Sequence, residues 1–273
     1  EIRNILQYGI EGVNYSVNED GTITRLNNTY NEDGLLIKSM YCRDNLSTPA
    51  CDNSGSFGAS FEYDNLGRIV RVNALDEKGN IHNCKYGYSS QILTYDSDGN
   101  FISVRYLNAN GNKVRNEQCA NYILLTLNSR CNVAAFSVFD ENDNPCNLKL
   151  GYSSQTLEYD ENGNIISTKF FDNKGNPAYD NTDFCHEKRY EYDENGRIIK
   201  FSSFDADSSP IYLKSLGFSS VEKKLDEKGR IVEERYFDHQ GKPVCNISGG
   251  YYAITFKYDE NGYQCEEHYW DAD

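Results

Sequence analysis

The chain lacks a membrane-length apolar segment: no run approaches the ~18 apolar residues of a spanning helix, and the longest, Tyr122–Leu127, is broken by Thr126. That predicts no membrane insertion. Positive charge is also short, with 27 Lys and Arg against 42 Asp and Glu and a formal net charge of −15. Nucleic-acid binding depends on cations that neutralise phosphate, so the balance disfavours that class and no nucleic-acid partner is expected. An acidic surface suits solubility, basic partners and divalent cations. The nine cysteines form no C-x-x-C pair, which argues against a structural zinc site. An odd number leaves one thiol unpaired or shared between chains, and the count favours an oxidising compartment. The four histidines, His82, His186, His239 and His268, share no metal-ligand spacing.

What is present points elsewhere. There are 22 Tyr, 13 Phe and 21 Gly, and the mean hydropathy is −0.72. Aromatics favour pleated, half-buried surfaces, and Gly with Asn and Asp favours turns. The composition is that of an all-β chain.

A motif Tyr-Asp-x-x-Gly recurs. It starts at Tyr30 (with Asn31), Tyr63, Tyr95, Tyr159, Tyr192 and Tyr258, with Leu225 and a decayed copy at Leu127 completing the series. The starts are 32 or 33 residues apart. A second turn follows about 13 residues later, opening at Asp76, Asn108, Asp140, Asp172, Asp205 and Asp238. Asp or Asn first and Gly fourth is the preference of a type I turn followed by a left-handed residue, which closes a hairpin with a bulge. Pro145, Pro177, Pro210 and Pro243 follow, where an absent N–H is tolerable at an edge.

Between the two turns, apolar residues alternate with polar ones. Val70, Val72 and Ala74 face one way, and Arg71 and Asn73 the other. That is a strand with one buried and one solvent face. A strand leading into each Tyr-Asp turn and a Gly-aromatic step (Gly87-Tyr88, Gly151-Tyr152, Gly217-Phe218) complete the unit. One unit cannot bury its own face, so stacking supplies the core. The expected fold is all-β: tandem β-hairpin repeats of about 33 residues in an elongated, twisted or coiled antiparallel sheet or solenoid. Residues 1–29 read as a cap or junction, and 30–273 as the array, with units starting at 30, 63, 95, 127, 159, 192, 225 and 258. The last unit stops inside its second turn, which suggests a longer parent array.

The motifs Tyr63–Arg68, Tyr95–Asn100, Tyr159–Asn164 and Tyr192–Arg197 resemble the YD or RHS repeats of secreted bacterial proteins. The resemblance implies extended, coiled β-sheets, which in some members wrap into shells around toxins. The period near 33 is longer than the family unit, and no autoproteolytic core is recognisable.

For chemistry, the sequence offers little. The turn carboxylates repeat because the turn repeats. Asp96-Ser97-Asp98-Gly99-Asn100 faintly resembles a calcium loop but lacks the full ligand set with its closing Glu. No cofactor is expected beyond that calcium. The tyrosines at the Tyr-Asp turns read as a core ladder. Tyr88, Tyr152, Tyr251 and Tyr252 read as the more exposed aromatics, suited to stacking on sugars. Cys42, Cys51 and Cys84 are the candidate disulfide cysteines, because Cys51 and Cys84 fall at like places in consecutive units and Cys42 and Cys51 flank one hairpin. The expectation is a non-catalytic, extracellular or cell-surface scaffold with a protein or glycan partner or a second copy of itself. Glycan binding through repeated Tyr and a shell segment of a toxin-delivery protein are the alternatives.

Overall fold

A computed structural model describes residues 15–17, 23–43, 48–213 and 215–271, with side chains described from residue 28 onward. The turn expected at residues 18–21, and most of the expected cap over 1–29, lie outside the described residues. Two compact units divide the chain: Glu1–Leu124 with Val138–Asn144, and Leu125–Ser137 with Pro145–Asp273. The strands of the first are β1 (Tyr15–Val17), β2 (Ile23–Tyr30), β3 (Leu36–Arg43), β4 (Thr48–Pro49), β5 (Gly58–Tyr63), β6 (Ile69–Leu75), β7 (Ser90–Tyr95) and β8 (Phe101–Leu107). At the division lie β9 (Tyr122–Leu127) and β10 (Val133–Phe139). The second unit continues with β11 (Ser154–Tyr159), β12 (Ile165–Phe171), β13 (Glu187–Tyr192), β14 (Ile198–Phe204), β15 (Ser220–Leu225), β16 (Ile231–Phe237), β17 (Ala253–Tyr258) and β18 (Gln264–Trp270). Every described pairing is antiparallel, and in each unit the strands follow one another as a meander of hairpins. The all-β hairpin-repeat expectation is met.

One five-residue turn recurs at most corners. In the turn 64–68, Gly67 N–H donates to Asp64 O (3.0 Å) and Asp64 N–H to Arg68 O (3.0 Å). The Asp64 side-chain Oδ1 accepts the N–H groups of Leu66 (2.9 Å) and Arg68 (3.0 Å). The same pattern recurs at Asp76, Asp96, Asn108, Asn128, Asp160, Asp172 and Asp226. The residue before the last adopts positive φ, which favours glycine because a Cβ there meets a backbone carbonyl. It is Gly67 at +76° or Gly99 at +90°, but also Cys131 at +61° and Ser208 at +65°.

From residue 63 to residue 257 each repeat carries three turns, not two. The Gly-aromatic step is the end of the third: Cys84 N–H donates to Tyr88 O (2.8 Å) and Gly87 N–H to Cys84 O (3.1 Å). Third turns span 52–56, 84–88, 116–120 and 148–152, then lengthen by one residue at 180–185, 213–218 and 246–251. That extra residue accounts for the later repeats of 33 where the middle ones have 32.

Within a hairpin the register is long, from Gly58↔Leu75 to Tyr63↔Ile69 with a bulge at Glu62/Tyr63. Between hairpins it is short, only Arg71↔Ile92 to Asn73↔Ser90. Stacked third turns carry the rest. Lys85 N–H donates to Ser54 O and Glu117 N–H to Tyr86 O in the first unit, both at 2.8 Å. In the second, Asn181 N–H donates to Leu150 O and Ile247 N–H to Leu216 O, at 2.8 and 2.9 Å. The chains approach closely here. A Cβ on Gly151 would sit 2.8 Å from the Tyr179 carbonyl.

The last residue of a third turn and a strand residue 18 positions later form the interior. Large pairs are aromatic: Tyr88–Tyr106 (4.7 Å between ring centroids), Tyr152–Phe170 (4.7 Å) and Phe218–Tyr236 (5.0 Å), with Tyr251–Tyr269 (4.8 Å) continuing the series although Tyr269 is exposed. At the same positions in other repeats stand small residues: Ser56 with Ala74, Ala120 with Val138, and Cys185 with Ser203. Ala120, Val138, Cys185 and Ser203 are fully buried.

Two expectations need correction. The alternate face of the strands is not simply solvated. Asn73, Ser103 and Ser167 are buried, because short polar side chains bond to the neighbouring strand. Asn73 Oδ1 accepts from Ser90 Oγ (2.7 Å), and its Nδ2 donates to Ser60 Oγ (3.1 Å). Nor do the described residues hold a disulfide. Cys51 precedes a third turn and is exposed, whereas Cys84 opens the next third turn and is buried. They are one position out of equivalence, so their side chains face opposite ways. Cys42 is buried on β3, opposite Pro49.

The tyrosines of the Tyr-Asp turns tie repeats together. Tyr63, Tyr95, Tyr159, Tyr192 and Tyr258 donate their hydroxyls to the carbonyls of Leu36, Ile69, Val133, Ile165 and Ile231 at 2.7–2.8 Å. Each acceptor opens the second strand of the preceding repeat. Leu225 cannot make this bond, and Ile198, which opens the corresponding strand, is 41% exposed.

A hydrogen bond of this kind contributes about 1 kcal/mol. Tyr95→Phe should lower unfolding free energy by about that much, and Leu225→Tyr should raise it by a similar amount, both read by urea denaturation. Independently, Cys131→Gly should stabilise the array by about 1 kcal/mol by relieving a left-handed non-glycine residue. An unchanged or lower urea midpoint would refute that reading of the turn.

Candidate functional site

The turn carboxylates are spent on structure. Asp96 Oδ1 accepts from Asp98 and Asn100 N–H (3.0 and 2.8 Å), and its Oδ2 from Asn100 Nδ2 (3.0 Å). This is the loop that resembles a calcium site. The Asn100 side chain, then its backbone N–H, holds the Asp96 carboxyl below the ordinary carboxylate range. Asp160 is lowered likewise by Asn164. For Asp64 and Asp226 the largest cause is the backbone N–H of Arg68 and Arg230. Each Arg also bonds its Asp through Nε at 2.7 Å.

Several other polar groups inside the second unit are paired with one another. Glu187, 2% exposed, accepts from Arg189 through both oxygens (2.8 Å each) and from Ser167 Oγ (2.8 Å). Lys188 meets Asp180 at 2.9 Å and Asp183 at 2.5 Å. Burial opposes its charge, but Asp183 and Asp180 outweigh this and raise its pKa. His186 is buried edge-on to Phe171, with Nδ1 3.2 Å from the Ala178 carbonyl oxygen. Burial also pushes the Cys185 thiol up to about 11, which leaves it little thiolate at neutral pH.

Of the four aromatics expected to be exposed, Tyr152 is buried and Tyr88, Tyr251 and Tyr252 are half-buried. Tyr152 is 7% exposed, packed with Phe170, Ala178, Phe136 and Leu148. It is core, because the third turn points its last residue inward. Tyr88 is half-buried against Tyr106, accepts from Gln91 Nε2 at 2.9 Å, and is pushed by burial up to about 12. It lines a cavity of about 150 Å³ with Tyr41, Asp52, Asn73 and Cys84, smaller than usual ligand sites. Tyr251 lies between Tyr236 and Tyr269. Tyr252 is half-buried, its backbone pairing with Tyr236 and Trp270. Within the second unit, Tyr152 and Tyr251 have separate aromatic neighbours and form no common surface.

An exposed aromatic surface lies instead one residue before the third turns. The groove of about 670 Å³ is lined by Tyr179, Phe184, Pro210, Ile211, Tyr212 and His239. Tyr179 and Tyr212 are each 38% exposed, and Phe184 is 55% exposed, its φ of +58° placing it at the left-handed position of the turn. The position before a third turn reaches the second turn of the next repeat. Asn83 Oδ1 accepts Ala109 N–H (3.1 Å), Asn147 Oδ1 accepts Asn173 N–H (2.9 Å), and Arg115 pairs with Glu141. Tyr179 follows this rule by donating its hydroxyl to Asp205 Oδ1. Asp205 Oδ1 also takes Ala206 N–H (2.6 Å), and Ser209 N–H turns to Asp207 Oδ1 (2.9 Å). Asp205 is thus diverted from the two-N–H cap of its own turn. The Asp205 bond also raises the pKa of Tyr179, with burial second. Sequence reading missed this groove because its tyrosines are placed by a turn that opens without Asp or Asn in several repeats.

No family model matches the chain, and no curated protein matches it. Among solved structures it is similar to TcdB2-TccC3 without its hypervariable C-terminal region (14% identity, TM-score 0.41, 88% of this chain and 12% of that one). It is similar also to a Photorhabdus luminescens Tc holotoxin pore (13%, 0.31, 89% and 13%). A third is a porin-like protein from Bacteroides uniformis (11%, 0.24, 93% and 91%). The chain spans about an eighth of the first two. TM-scores of this size assign neither fold nor function.

A carboxylate whose folded pKa is lowered stabilises the fold above its unfolded pKa, and that stabilisation is lost as pH falls through the folded value. The urea midpoint should therefore hold steady above the ordinary carboxylate range and fall below about pH 4. Asp160→Asn keeps the acceptor, as Asn108 and Asn128 do naturally, and should make the acid limb shallower.

Proposed function

We propose that the chain is a non-catalytic, extracellular interaction scaffold of YD/RHS type, in which stacked hairpin repeats hold one aromatic groove on a rigid face. The observation that carries this is the contrast between polar groups spent on the repeat and aromatics left uncovered. The periodic carboxylates cap turns, and five Tyr hydroxyls bond the preceding repeat. In the groove, Tyr179, Tyr212 and Phe184 remain partly uncovered. Exposed clustered aromatics mark interaction sites, and aromatic anchors dominate binding energy. Placement beyond the cell and a shell-like role rest on the sequence motifs. The reading requires no cofactor and no reaction.

The test is co-sedimentation of the purified array with insoluble cell-envelope and matrix preparations. Tyr179→Ala with Tyr212→Ala should weaken binding at least about tenfold, an ordinary loss for aromatic anchors. Tyr263→Ala, at a turn position 73% exposed outside the groove, should leave it unchanged. Absence of binding, or binding indifferent to the double substitution, rejects the reading.

A further inference from the structure

We infer that the groove of Tyr179, Phe184, Pro210, Ile211, Tyr212 and His239 takes an extended, uncharged polysaccharide, a proposal that rests on the interaction reading and names its ligand class. Tyr179 and Tyr212 occupy the same position in consecutive repeats. Consecutive repeats are two strands apart, so the backbone positions that carry the two tyrosines are offset by about 10 Å. An extended β-linked glycan restores its ring orientation every second sugar, a period close to that offset. Two aromatic faces at this spacing suit the apolar faces of alternate sugars.

The electrostatics select against charged alternatives. No Lys or Arg lines the groove, so nothing there neutralises a phosphate, sulfate or uronate. Asp205 lies beside it, and Asp207 acts on the Tyr179 hydroxyl. These carboxylates accept hydrogen bonds from hydroxyl groups and repel anions. His239 and the Tyr212 hydroxyl add further polar partners around an apolar floor of Pro210 and Ile211. A few placed polar groups in an aromatic cleft of this volume is the usual composition of a small-ligand site.

A peptide fits less well. Peptides dock most readily by adding a strand to an open edge or by filling hydrophobic pockets with a helix face. Beside the groove the backbone is already engaged: Asn181 N–H bonds Leu150 O, Ile247 N–H bonds Leu216 O, and Phe204 and Pro210 form a bridge. Recognition falls to ring faces and hydroxyl acceptors. Asp205 strengthens the case. Its carboxylate orients Tyr179 at the expense of its own turn, an arrangement the stacked repeats do not require.

The experiment is titration calorimetry with neutral β-1,4-linked glucose and N-acetylglucosamine oligosaccharides of graded length, with oligogalacturonate as the anionic control. For at least one neutral series, affinity should rise at least tenfold between the disaccharide and the tetrasaccharide, as the second tyrosine is engaged. Tyr179→Ala and Tyr212→Ala should each lose at least tenfold, and Tyr212→Phe should retain most binding. Melting curves confirm that these surface variants fold. Silence with every neutral series, stronger binding of the anionic control, or indifference to both alanine variants overturns the proposal. If envelope binding still depends on the groove while sugars fail, and protease but not periodate treatment of the envelope abolishes it, the partner is a protein. The interaction reading then stands without the glycan. If envelope binding does not depend on the groove, both fall.

Discussion

A single side-chain oxygen, set at the first position of a five-residue turn, organises this protein. It accepts the N–H groups of the third and fifth residues, as Asp64 does for Leu66 and Arg68. Those donors point away from the strands, and without a partner they would cost the turn its advantage over extended chain. The fourth residue turns left-handed, the chain reverses, and the bulge beside it fixes the hairpin register. Three reversals per unit leave two strands and a third corner that stacks on its predecessor, the third lacking the oxygen where Cys84, Leu148 or Leu213 opens it. The short pairing between hairpins is tolerable because that third corner supplies backbone bonds of its own.

Stacking then imposes a packing rule. Pairs inside successive repeats share a narrow space, and close-packed interiors tolerate neither voids nor overfilling. Large and small pairs interleave over much of the array. Ser56 with Ala74 precedes Tyr88 with Tyr106, and Tyr152 with Phe170 precedes Cys185 with Ser203. Near the end the rule relaxes, and Phe218–Tyr236 is followed directly by Tyr251–Tyr269, with Tyr236 and Tyr251 in contact at 6.0 Å. Some of these tyrosines also use their hydroxyls, Tyr236 donating to Glu234 and Tyr88 accepting from Gln91. This is how a chain so poor in aliphatic residues still fills a core.

The repeat and its first two turns were legible because Asp or Asn opens them and Gly stands fourth. The third turn was not, since Cys84, Leu148 and Leu213 open it without a capping oxygen. Only its Gly-aromatic ending carried a signal, and that ending was read as an exposed step. For this reason the sequence shows neither that Tyr152 is interior nor that Cys51 and Cys84 are one residue out of register. Alternation also suggested a solvated face, because hydropathy cannot distinguish a polar residue facing water from Asn73 bonded to Ser60 and Ser90. The groove needed both pieces of knowledge: where the third turn begins, and that the residue before it touches the next repeat.

That contact is where the array departs from its own rule. At the position before the third turn, Asn83 and Asn147 cap the second turn of the following repeat, and Arg115 pairs with its carboxylates. Each of these side chains is short or charged, and each strengthens stacking. Tyr179 makes the same contact with a ring that stays more than a third exposed, and Asp205 leaves its capping role to meet it. A repeat under selection for stability alone has no use for this exchange, since Asn at 179 would keep both the contact and the cap. Tyr212 stands at the same position in the next unit, where Asp238 keeps its cap on Gln240 and Lys242, so the aromatic residue recurs one repeat on although the exchange does not. Two ring faces one repeat apart use the one property a stacked scaffold supplies without cost, a constant spacing, and an extended periodic ligand is the partner best able to exploit it.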